Sequence, residues 1–226
     1  GTHRLWAAQY GPRGPTHPAV ALDLSGHGNS EDTGVAVGGA IIRAYADDVC
    51  AVARAVDADI LVGHSLGGAV VQHVLLERDL GVEGAVLAGT GAKLAVADPL
   101  RERLVTDFAA AIEWLHDDDR LFHDTHDRMV EQSKASMRSV GAAVTERDFR
   151  TCHEFDVRGE LDGLDVPTLC IVGEHDQLTP PHYHDYLAEA MDGRVAVVEG
   201  AAHLTMLEQP EAFNSALDRF VARVQE

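Results

Sequence analysis

The chain has 226 residues, 46% of them hydrophobic, with 37 acidic residues against 18 basic ones and no short repeat among its 21 glycines and 8 prolines. That is a globular composition, long enough to bury a sizeable core as one large or two small domains, and it excludes a disordered or collagen-like chain. A formal net charge of -19 argues against nucleic acid and anionic membranes as partners, because such a surface repels both at long range.

Only Lys93 and Lys134 are lysines, so the surface is dominated by carboxylates. Self-repulsion of this kind is tolerable in concentrated salt, where the Debye length shrinks to about 3 Å at roughly 1 M. The composition therefore fits a salt-adapted, halophilic protein as well as it fits ordinary acidic solubility. Cys50, Cys152 and Cys170 are odd in number, far apart and without C-x-x-C spacing, which reads as reduced thiols in an intracellular protein. No apolar run approaches the roughly 20 residues that cross a bilayer, and no charged-then-apolar leader opens the chain. The expected location is cytoplasmic. Gly1 stands where a translated product would have methionine, so these residues need not be its start.

In chain order, short apolar runs at 18–24, 59–63, 84–88, 167–172 and 194–198 read as five strands, each bounded by glycine, proline or polar residues. Helical periodicity fills the intervals. Residues 39–56 carry Ile42, Tyr45, Val49, Val52 and Val56 at three- or four-residue spacing, and 66–78 behaves similarly. Helices over 181–191 and 210–224 each have proline near the start, where helix entry tolerates it. Strands alternating with helices indicate an α/β architecture with a mostly parallel sheet covered on both faces. Residues 93–160 break the alternation. They hold no convincing strand, only helical stripes such as Leu100, Leu104, Phe108 and Ile112, and a polar turn at Asp117 to Arg120. The expected organisation is a core of 1–92 and 161–226 with an inserted helical cap over 93–160.

Gly63-His64-Ser65-Leu66-Gly67 is a G-x-S-x-G motif lying directly between the run ending at Val62 and the helix beginning at Leu66. A serine raised on a sharp strand-to-helix turn needs small neighbours, which Gly63, Gly67 and Gly68 supply, and the helix N-terminus points amides at developing negative charge. Its hydroxyl is a weak nucleophile unless a histidine takes the proton and a carboxylate fixes that histidine's tautomer. Both follow later strands: Gly173-Glu174-His175-Asp176 comes after the run 167–172, and His203 after 194–198.

In this order of serine, aspartate and histidine the sequence resembles the α/β-hydrolase superfamily, its esterase and lactonase branch in particular. Two further stretches carry the resemblance: Asp23 to Ser30, similar to the family's D-x-x-G-H-G-x-S turn, and Leu207-Glu208-Gln209-Pro210-Glu211 before the last helix. It implies a serine hydrolase with a Ser65, Asp176 and His203 triad, and Leu66 as one oxyanion amide. Its implied substrate is a small or medium carboxylic ester, thioester or lactone, cleaved through an acyl-enzyme. Two departures stand out. Ala202 replaces the family's glycine before the histidine, and the His-Gly loop that donates a second oxyanion amide is missing together with the strand before it, of which Gly1, Thr2 and Trp6 look like the tail.

The resemblance implies neither metal nor organic cofactor. Carbon–carbon hydrolysis, perhydrolysis and acyl transfer use the same triad, and a binding scaffold with weak turnover is the rival from another class. Among the remaining candidates, His64 reads as a packing or pocket residue, His27 as structural and Glu174 as a fallback acid. His116, His123, His126, His153, His175, His182 and His184 lack metal-binding spacing and read as solvated. Of Phe108, Trp114, Phe122, Met129, Met137, Phe149 and Phe155, about a third are expected to face the ligand.

Overall fold

Gly84–Ala88 (β2) and Thr168–Gly173 (β3) are buried at every position, the burial that a continuous apolar run acquires when helices cover both faces of a parallel sheet. The computed structural model describes residues 1–12, 14–35 and 38–226. Ile60–His64 (β1) pairs with β2, β2 with β3, and β3 with Arg194–Val198 (β4), all in parallel, giving the order β1-β2-β3-β4. β1 and β4 are the edges, with Val62 and Val197 39% and 53% exposed.

Strand alternation divides the core into two layers. Ala85, Leu87 and Cys170 face a cluster with Ile41, Tyr45, Val70 and Leu187, whereas Val86, Ala88 and Ile171 face one with Phe213, Leu217 and Phe220. Helices Gly39–Val56 (α2), Leu66–Glu77 (α3) and Pro181–Ala190 (α8) supply the first layer, and Pro210–Val224 (α10) supplies the second. The three free cysteines are buried; burial raises the Cys50 thiol and pushes Cys170 up to about 12, far from reactive thiolates.

The segment 18–24 is not a strand. Among the described residues its stretch 18–22 makes no backbone hydrogen bond, because no strand lies alongside, and Val20 is 63% exposed. Its β-favouring sequence has nothing to pair with, and β propensity is realised only through neighbours. Residues 1–10 form a 3-10 turn, His3–Trp6, leading into the single helical turn Ala7–Tyr10 (α1).

Between β2 and β3 the chain forms Asp98–Thr106 (α4), Phe108–His116 (α5), Asp127–Val140 (α6) and Ala142–Glu154 (α7). The apolar stripe from Leu100 to Ile112 spans two helices, not one. Asp107 breaks it with φ -153° and caps α5, its side chain accepting the Ala110 amide at 3.0 Å. The two ends of this helical segment meet at Lys93 and Asp156, which form an antiparallel bridge and a 3.0 Å ion pair. After β4 come Thr205–Glu208 (α9) and then α10.

Candidate active site

Ser65 lies between β1 and α3 with φ 52° and ψ -117°, in the left-handed region that a residue with a side chain rarely occupies. Four bonds hold it there. Its amide donates to the Ala88 carbonyl (2.9 Å), and its carbonyl accepts from Gly68 (2.9 Å), Ala69 (3.2 Å) and the Thr90 hydroxyl (2.8 Å). Not all three flanking glycines are needed for room. A Cβ at Gly63 would meet the Gly67 carbonyl oxygen at 2.3 Å, and one at Gly68 would meet the buried Thr90 side chain at 2.6 Å, but nothing lies within 4 Å at Gly67. The Leu66 amide sits in the first turn of α3, where no intrahelical acceptor exists.

Asp176 and His203 are brought together. Asp176 is 3% exposed; its Oδ1 accepts the amides of Leu178 and Thr179 (both 2.9 Å), and its Oδ2 accepts the Thr179 hydroxyl at 2.8 Å and faces His203 Nδ1 at 2.9 Å. Burial alone would raise this carboxyl, but His203 and the hydrogen bonds from His203 and Thr179 outweigh it and hold Asp176 below the usual carboxylate range. An ionised carboxylate only accepts, so Nδ1 carries the hydrogen and Nε2 is left as the basic nitrogen. Glu174 is exposed, bonded to the Gly200 amide at 3.3 Å and directed away from this pair. Among the described residues no hydrogen bond joins Ser65 Oγ to His203; both side chains line one cavity.

Two further histidines stand in this corner, His64 half-buried and His184 fully buried. His64 Nε2 lies 2.8 Å from the His203 carbonyl oxygen, with the two rings 4.6 Å apart; burial, with His203 beside it, pushes it down to about 3. His184 is fully buried rather than solvated. Its Nε2 accepts the Thr90 amide at 3.1 Å, and burial pushes it down to about 4. Both are neutral at neutral pH. His123 and His175 stack with centroids 3.6 Å apart, while His27 is buried and bonded to Asp148 at 2.8 Å.

Glu208 braces the loop of His203. One carboxylate oxygen accepts the Ala202 amide (2.7 Å), and the other accepts the His123 amide (2.7 Å) and the Thr125 hydroxyl (3.1 Å). Alanine at 202 is accommodated in this buried turn. Sequence reading misses Thr90 and the role of Thr179, takes His184 for a solvated side chain, and meets Glu208 only within the stretch Leu207 to Glu211. For Thr179 a signal existed, since a hydroxyl three residues after an aspartate commonly bonds back to it; for Thr90 there was none.

The cavity holds about 720 Å³ and runs from Ser65 and His203 along β1. Leu115, Leu121, Met137, Val140 and Phe149 are among its apolar lining residues. Of the seven large apolar candidates in the insertion only Met137 and Phe149 line it. Phe122 and Phe155 are core residues, and Trp114 lies under the Arg120 guanidinium at 3.9 Å.

A parallel sheet with a strained serine after its first strand, an acid after its third and a histidine after its fourth is the arrangement of an α/β hydrolase. Residues 1–216 match the alpha/beta hydrolase family, and the chain belongs to it. It is 31% identical to a pimeloyl-[acyl-carrier protein] methyl ester esterase of Neisseria meningitidis, over 94% of this chain and 87% of that protein. It is 26% identical to 3-oxoadipate enol-lactonase 2 of Acinetobacter baylyi, over 97% and 84%. Among solved structures, a thermophilic esterase superposes with a TM-score of 0.88 at 31% identity, covering 99% of this chain and 86% of that one.

Proposed function

We propose that the chain hydrolyses carboxylic esters, thioesters or lactones through an acyl-enzyme on Ser65. The observation that carries this reading is the buried Asp176–His203 pair at 2.9 Å, with His203 lining the same cavity as a serine held at positive φ. Relatives whose names specify a methyl ester and an enol-lactone support the substrate class.

In this mechanism Ser65 Oγ attacks the acyl carbon while His203 Nε2 takes its proton, and the developing oxyanion accepts the Leu66 amide. The imidazolium is stabilised by Asp176 and returns the proton to the leaving alkoxide or thiolate. Water activated by His203 then cleaves the acyl-enzyme and restores Ser65. The serine–histidine contact forms on the reaction path, as it does in hydrolases whose hydrogen bonds are loose without substrate. Residues 93–160 act as the cap over the acyl group. Among the described residues no lysine or arginine side chain lines the cavity, and its acidic members are Asp57, Asp59 and Asp148, so an uncharged acyl chain fits better than an anionic one.

Labelling with a fluorophosphonate serine probe tests the reading. The chain should be labelled and turn over p-nitrophenyl butyrate, and Ser65→Ala should lose both while keeping its circular dichroism. Retained turnover in Ser65→Ala refutes it.

A further inference from the structure

His64 contributes neither nucleophile nor acid nor base, yet it touches the base directly. We infer that His64 is a positioning residue: its ring N–H grips the His203 carbonyl and its ring lies tilted against the His203 ring, holding the base in line with Asp176. The inference rests on the triad reading above.

A carbonyl oxygen can only accept, so the 2.8 Å contact fixes the hydrogen of His64 on Nε2. The rings meet at 57° with centroids 4.6 Å apart, too close for His203 to pivot toward β1 without displacing His64. Gly89 makes the contact possible. At φ +49°, a Cβ there would lie 2.9 Å from His64 Nε2 and 3.3 Å from the His203 carbonyl oxygen. The topology gives the contact its value. Ser65 follows β1 at one edge of the sheet and His203 follows β4 at the other, whereas His64 is the last residue of β1, paired in register with Ala88. It is therefore a direct link from the nucleophile's own strand to the base. The His203 loop is otherwise tied by the Ala202 amide to Glu208, by the His175 amide to the Ala201 carbonyl (2.9 Å) and by the Leu204 amide to the Leu121 carbonyl (3.1 Å), none of them a bond to β1. Without the His64 donor a part-buried carbonyl is unpaired and the loop loses its tether toward the nucleophile.

Two variants test this. His64→Met fills the space without a donor, and His64→Gln returns an N–H at similar reach. His64→Met should lose about 10- to 100-fold in kcat, the cost of misplacing a reacting group by a fraction of an ångström to an ångström, with KM changed by less than about threefold. His64→Gln should recover most of that loss. The strongly deshielded proton of the His203–Asp176 hydrogen bond, read by NMR, should broaden or vanish in His64→Met and persist in His64→Gln. Equal losses in the two variants, a loss confined to KM, or an unchanged resonance in His64→Met overturns the inference. If the unmodified protein turns over no ester, the triad reading fails, and the resonance alone still decides whether His64 orders His203.

Discussion

Acidification should destabilise the protein well above the range where carboxylates titrate, and His184 is the side chain through which the effect can be isolated. It is fully buried, accepts the Thr90 amide, and its value falls to about 4. The folded state therefore refuses a proton that the unfolded chain accepts at about 6.5. A histidine with a depressed folded value makes the unfolded state bind more protons below that point, so stability is lost as pH falls from about 6.5 toward 4. Between pH 7 and pH 5 the unfolded chain gains about 0.7 proton at this site and the folded chain about 0.1, and integrating the difference over the window gives about 2 kcal/mol. Few carboxylates change state in this window. Urea unfolding at pH 7 and pH 5, in enough salt to mute surface charge, should show at least this loss. His184→Gln keeps an acceptor for Thr90 without a titrating ring and should remove about 2 kcal/mol of the difference. If the variant and the parent lose the same stability between the two pH values, His184 is not held neutral and the argument fails.

Three other outcomes follow from the geometry. Gly68→Ala should cost about 1–3 kcal/mol, since its Cβ would press on a buried Thr90, whereas Gly67→Ala should be neutral or stabilise by up to about 1 kcal/mol; equal thermal shifts would contradict the packing described at the elbow. A methyl ester with an unbranched neutral acyl chain should be hydrolysed at least about tenfold faster, in kcat/KM, than one of equal length ending in a carboxylate, and the gap should narrow with salt; preference for the anion refutes the cavity argument. Melting temperature should rise from dilute buffer to molar sodium chloride as the net charge of -19 is screened, and a flat or falling curve removes the case for salt adaptation.

Sequence patterns located most of the sheet because β2 and β3 are built on apolar runs, Ala85 to Ala88 and Leu169 to Val172, bounded by glycine or proline, a signal that needs no tertiary information. The turn carrying Ser65 was equally legible, since a sharp strand-to-helix bend demands small residues, though only Gly63 and Gly68 meet that demand sterically. Residues 18–24 misled because a strand is defined by its partner, and local propensity cannot say whether one is present. The stripe through α4 and α5 misled differently. Helical periodicity continued across Asp107, and only the cap geometry reveals the break. His184 read as a surface histidine because its buried partner is the Thr90 amide, which lies 94 residues away in sequence.

The brace at Glu208 has a mechanical consequence. A single carboxylate holds one amide from the turn before His203 and, through its other oxygen, an amide and a hydroxyl at residues 123 and 125 of the inserted layer. One side chain therefore ties the turn before His203 directly to residues 123 and 125, with no other residue between the two attachments. Burial raises this carboxyl above the usual range, so acid neutralises the brace earlier than it would a surface glutamate. Protonation then weakens both attachments in the same event. Under the proposed function, a shift of residues 123 to 125 as an ester enters would thus reach His203 through Glu208 and the amide of Ala202, its immediate neighbour.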